Sequence, residues 1–107
     1  MARINPKRLE IAARRVDQIL WREWDPIDLK SFHGPDYLDE YHTQACEAAE
    51  IAWTRGERDV ARYLNRARVC HMGMSQSDEA MDTDRRVAGL VFTLVQEIKR
   101  DRHGRFD

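Results

Sequence analysis

Among the histidines and cysteines of this 107-residue chain, His42, Cys46, Cys70 and His71 are the candidates for a zinc site or an activated thiol. His42 and Cys46 are four apart, so on a helix they share a face, and an imidazole beside a thiol is the pairing that activates a nucleophile. Two cysteines and two histidines are also a zinc ligand set in type. The spacing argues against it. Cys70 and His71 are adjacent, and neighbours on a helix diverge by about 100°, so they cannot both address one ion. No Cys-x-x-Cys, His-Glu-x-x-His or glycine-rich phosphate loop occurs. Neither thiol has an evident oxyanion hole or third orienting group. Cys70 falls on an apolar stripe, where free cysteine behaves as a small apolar residue, and His71 suits a helix end. Asp36, Asp39, Glu40, Asp78, Glu79 and Asp82 cluster near expected helix starts, where the helix dipole accounts for them. The expectation is no metal, no cofactor and no catalysis.

Charge is more informative. The whole carries 18 basic and 19 acidic side chains, so no net field favours nucleic acid or anionic lipid. Locally the signs separate. Residues 1–24 hold six basic against three acidic side chains, 25–54 one against seven, 55–72 five against two, and 73–107 six against seven. Asp25, Asp28, Asp36, Asp39, Glu40, Glu47 and Glu50 make an acidic block, suited either to neutralising neighbouring basic helices or to docking a basic partner. Arg58, Arg62 and Arg66 form a basic row at four-residue spacing. With Asn65 they could enter a major groove if the glycine-containing "TRGE" connection were the turn of a helix-turn-helix. The long acidic segment just before would repel phosphate.

The elements that must position these residues are helices. Apolar residues make up 42% and charged residues 35%, which fits one folded domain, 1–107, with wide solvated faces. The 3.6-residue periodicity predicts helices over about 6–24, 35–55, 57–72 and 82–102. In the first, Asn5 and Pro6 make the start; Leu9, Ala12, Ala13, Val16, Ile19, Leu20 and Trp24 make the stripe. Tyr37, Leu38, Tyr41, Ala45, Ala48, Ala49 and Ala52 line the second, whose alanines permit close approach of another helix, within the chain or from a second copy. Val60, Tyr63, Leu64, Ala67, Cys70 and His71 line the third, and Gly73 stops it. Ser77 or Asp82 caps the fourth, with Val87, Ala88, Val91, Leu94, Val95 and Ile98 inward. Short connections favour antiparallel neighbours, so the expected fold is an all-α four-helix bundle with a packed Asp-Pro loop between helices 1 and 2. The longest apolar run, Val87 to Val95, falls far short of the ~20 residues a membrane span needs. The N-terminus lacks a secretory apolar stretch, so a soluble cytoplasmic protein with reduced cysteines is expected.

The stretch "LWREWDPIDL" sets two tryptophans at the expected reversal. Trp24 closes the first stripe, and Pro26 turns the chain. Trp21 points off that stripe, which makes it a candidate anchor for a partner. Trp24, Asp25, Pro26 and Ile27, followed by Asp39, Glu40 and Tyr41, resemble the YugE-like domain family, small bacterial helical proteins of unknown function. Its members commonly have glycine shortly after the proline, where this chain has Asp28. The resemblance covers roughly the middle two-thirds of the chain; it implies an all-helical fold and supplies no activity.

These features point to a non-enzymatic protein-binding module, in its most concrete form an inhibitor or immunity-type protein. Asp39, Glu40, Glu47 and Glu50 are the expected contacts to a basic partner, with Trp21 as anchor. The alternatives are nucleic-acid binding through Arg58, Arg62, Asn65 and Arg66, and homo-oligomerisation through the alanine stripe.

Overall fold

A computed structural model describes residues 6–25, 41–71, 73 and 76–101. Among them the secondary structure is helical, without a strand. Helix α1 is Pro6–Ile19 and runs on as a π-helical turn, Leu20–Trp24. Helix α2 is His42–Thr54. Helix α3 is Glu57–Arg66 and also ends in a π-helical turn, Ala67–His71. Helix α4 is Asp78–Arg100. The all-α bundle is as expected. Its main pairings are α1 on α2 and α3 on α4, and α4 touches all three other helices.

One core joins them, built from the expected stripes. Ala12, Ala13, Val16 and Leu20 meet Ala45, Ala48, Ala49 and Ala52, while Val60 and Leu64 meet Val87, Ala88, Val91, Val95 and Ile98. Ala45, Ala48, Ala49 and Ala52 are fully buried within the chain, so that stripe offers nothing to a second copy. Trp53 joins this core although it was not on the expected stripe; Lys99 crosses its ring at 5.9 Å and donates to its carbonyl at 3.0 Å. No helix among the described residues is long and apolar enough to cross a membrane.

Several boundaries differ from the periodicity. Helix α4 begins at Asp78, earlier than 82, because Ser77 Oγ accepts the Ala80 N–H at 3.1 Å, and Asp78 and Glu79 then occupy the favoured first turn. It stops at Arg100. Helix α2 starts at His42 instead of 35, directly after Tyr41, which is in a turn. Residues 35–40 lie outside the described ones.

The π turns account for the other differences. The Asp25 N–H donates to the Leu20 carbonyl at 2.8 Å, a bond that reaches five residues back instead of four. The wider turn rotates the side chains that follow and brings Trp21 and Trp24 both inward, 3% and 5% exposed. Trp21 is therefore core and not a surface anchor. It faces the Tyr41 ring at 6.2 Å, and Trp24 meets the same ring edge-on at 5.6 Å. In the second π turn Ala67 and Arg68 take the inner positions, and Cys70, expected inside, is exposed.

Candidate functional site

Two clefts of opposite charge flank the bundle. The first lies between α1 and α2. The spacings Leu9, Ala13, Asp17 and His42, Cys46, Glu50 each put three side chains on one helical face, and those faces meet across a cleft of about 530 Å³. Glu10 and Glu50 stand exposed at its edge, and Asp17 is buried at its base with 1% exposure. Arg14 is the one arginine along it, and lies 3.9 Å from Glu10 in an exposed pair of the kind that contributes little.

Within this cleft three groups stand in a row. The Asp17 Oδ2 lies 3.7 Å from His42 Nδ1, and His42 Nε2 lies 3.5 Å from Cys46 Sγ. Carboxylate, imidazole and thiol in that order resemble an activated nucleophile. The electrostatics oppose it. Burial pushes the Cys46 thiol up from its ordinary value, and the negative charges of Asp17 and Glu47 push it the same way. A reactive thiol needs a positive surround that pulls its pKa down. The groups around Cys46 favour an incoming cation over a resident thiolate. Among the described residues no group of three or more His, Cys, Asp or Glu is arranged to hold a metal ion.

The residues expected to bind a basic partner divide. Glu47 and Glu50 are exposed on α2, and none of the ion pairs among the described residues uses either. Burial first, then the neighbouring Glu47 carboxylate, raises the Tyr63 pKa. Asp39 and Glu40 lie outside the described residues.

The second cleft lies between α3 and α4 and measures about 740 Å³. Arg58, Arg62 and Arg66 line its α3 side and are exposed; Arg85 lines its α4 side and pairs with Asp82 at 2.7 Å. Asn65, expected to face outward with the arginines, is turned in. Its amide donates to Gln76 Oε1 and to Asp84 Oδ2, both at 3.1 Å. A base-reading amide would have to point the other way.

The reason is a buried polar node beneath this cleft. Asp84, 2% exposed, accepts from Arg68 Nη2 at 2.9 Å, from Trp24 Nε1 at 3.0 Å and from Asn65. Arg68 also donates to Gln76 at 2.8 Å. Both π turns feed the node, one supplying Trp24 and the other Arg68. The charged members of the node, and Asp17 of the first cleft, carried a signal in the sequence. Asp84 precedes the Val87 and Ala88 core positions by three and four residues, Arg68 follows Leu64 by four, and Asp17 follows Ala13 by four. Each is a charged residue at a core position, which demands a buried partner. Beside the node, Tyr41 donates its hydroxyl to Asp25 and packs its ring on Trp24.

No family model, no curated protein and no solved structure matches this chain, so its function must be read from the two clefts and the groups that line them.

Proposed function

We propose that this protein is a non-enzymatic binding module that docks a basic protein partner on the face formed by α1 and α2. A lysine or arginine of the partner enters the cleft between these helices, and Glu47 and Glu50 contact the surrounding basic surface. The observation that carries this reading is the carboxylate set of that cleft: Glu10 and Glu50 exposed at the edge, Asp17 buried at the base, and Leu9 and Ala13 beside them. An apolar wall with carboxylates at rim and base suits the aliphatic stem and charged head of a basic side chain. Exposed Glu47 and Glu50, which no guanidinium of the described residues neutralises, add long-range steering. An inhibitor or immunity-type protein that covers a cationic enzyme is the concrete form of this reading.

Affinity capture from native cells, with the wild type and the Glu47→Lys/Glu50→Lys variant side by side, tests it. The expected result is a basic protein held by the wild type and lost by the variant. Equal recovery of the same partner by both, or capture of acidic partners only, would overturn it.

A further inference from the structure

We propose that the cleft between α3 and α4 is a second recognition site, which receives an acidic amphipathic helix of another protein. Arg58, Arg62 and Arg66 stand four residues apart along α3 and span about 12 Å of helix. They are exposed, and no ion pair among the described residues involves them. Across the cleft Arg85, among the described residues, pairs with its exposed neighbour Asp82, a pair that an incoming carboxylate can replace at little cost. The wall between carries an apolar strip beside Asn65, Gln76 and Asp84, which bond to one another. Ala61 and Val69 are half-buried, and Met81 is 38% exposed, a flexible side chain suited to a binding surface.

Beneath the cleft, Asp84 ties Arg68 of α3's π turn and Asn65 of α3 to α4. This holds the two walls in place before anything binds, so little ordering is lost on association. An occupant helix with glutamates four residues apart repeats the arginine spacing, and apolar side chains between them reach Met81. Nucleic acid fits less well. Among the described residues no aromatic ring lines the cleft on which a base could stack, and the Asn65 amide also donates inward to Asp84.

The test is an NMR titration of the isotope-labelled full chain with a synthetic helical peptide bearing glutamates at four-residue spacing and leucines between. An oligothymidylate of equal charge is titrated in parallel. Expected are shifts confined to 58–69 and 81–85, with affinity reduced about tenfold or more by Arg62→Glu/Arg66→Glu. Met81→Asp, which leaves the arginines in place, also weakens the peptide. Arg100→Glu, about four turns along α4 from the cleft, does not. Absent binding, shifts scattered over the surface, or indifference to Arg62→Glu/Arg66→Glu would overturn the proposal. Tighter binding of the oligothymidylate through the same arginines would overturn it in favour of a phosphate-reading cleft.

Discussion

The indole of Trp24 donates a 3.0 Å hydrogen bond to the carboxylate of Asp84, across 60 residues of chain. That bond ties the end of α1 to the start of α4. Through Arg68 on the same carboxylate, it also ties in the end of α3. The residue that positions the walls of the arginine cleft thus also fixes the turn that buries both tryptophans.

Arg68 and Asp84 are 5% and 3% exposed at the side chain, so removing one partner strands a buried charge. Arg68→Met is expected to cost about 3–5 kcal/mol in urea unfolding, whereas Arg68→Met/Asp84→Leu recovers a large part of that loss. Trp24→Phe, which keeps an aromatic ring but removes the donor and part of the indole volume, should cost about 1–3 kcal/mol or more. Equal stability of wild type and Arg68→Met would mean that the pair does not form.

Trp21 separates core from surface. Buried at 3% exposure against Tyr41, it should lose about 3–5 kcal/mol of stability on change to alanine. A surface anchor would leave the unfolding midpoint in place and affect binding alone.

Alkaline pH should weaken the fold. Burial, with nearby carboxylates, raises the Cys46 thiol above 9.0 and the Tyr63 phenol above 10.0, their ordinary values. A group whose folded pKa lies above its unfolded one contributes fully below the unfolded value, and that contribution is lost as pH rises towards the folded one. Unfolding free energy is therefore expected to hold steady through neutral pH and decline above about 9 to 10. Tyr63→Phe should flatten the upper part of that decline.

Thiol chemistry offers a separate check on the proposed non-enzymatic role. At neutral pH iodoacetamide should modify Cys46 slowly, and Glu47→Gln should speed the reaction by removing a charge that opposes the thiolate. If Cys46 reacted faster than exposed Cys70, the row Asp17, His42, Cys46 would be an activated nucleophile after all.

The bundle was legible because its core obeys one period: Ala12, Val16 and Leu20, or Val87, Val91 and Val95, need only helical geometry to fall in line. The π turns were not. An extra residue in a turn is set by distant contacts, here Trp24 to Asp84 and the Trp21, Trp24 and Tyr41 rings, which leave no local pattern. Trp21 and Cys70 were misplaced for that reason. Of the two expected caps for α4 the structure uses Ser77, which Asp78 and Glu79 follow in the first turn, and not Asp82. Of the sites, the arginine row was visible as spacing, but its cleft was not. The acidic cleft needs Asp17 of α1 opposite His42 and Glu50 of α2, a juxtaposition that only packing supplies.

The central claim is that the acidic cleft between α1 and α2 receives a cationic side chain of a basic partner. The most direct measurement is calorimetric titration of the captured partner into wild type and Glu50→Lys, at low and moderate salt. The expected result is tight binding that weakens with salt, and at least about a tenfold loss for Glu50→Lys with its unfolding midpoint unchanged. Affinity indifferent both to salt and to Glu50→Lys would contradict it.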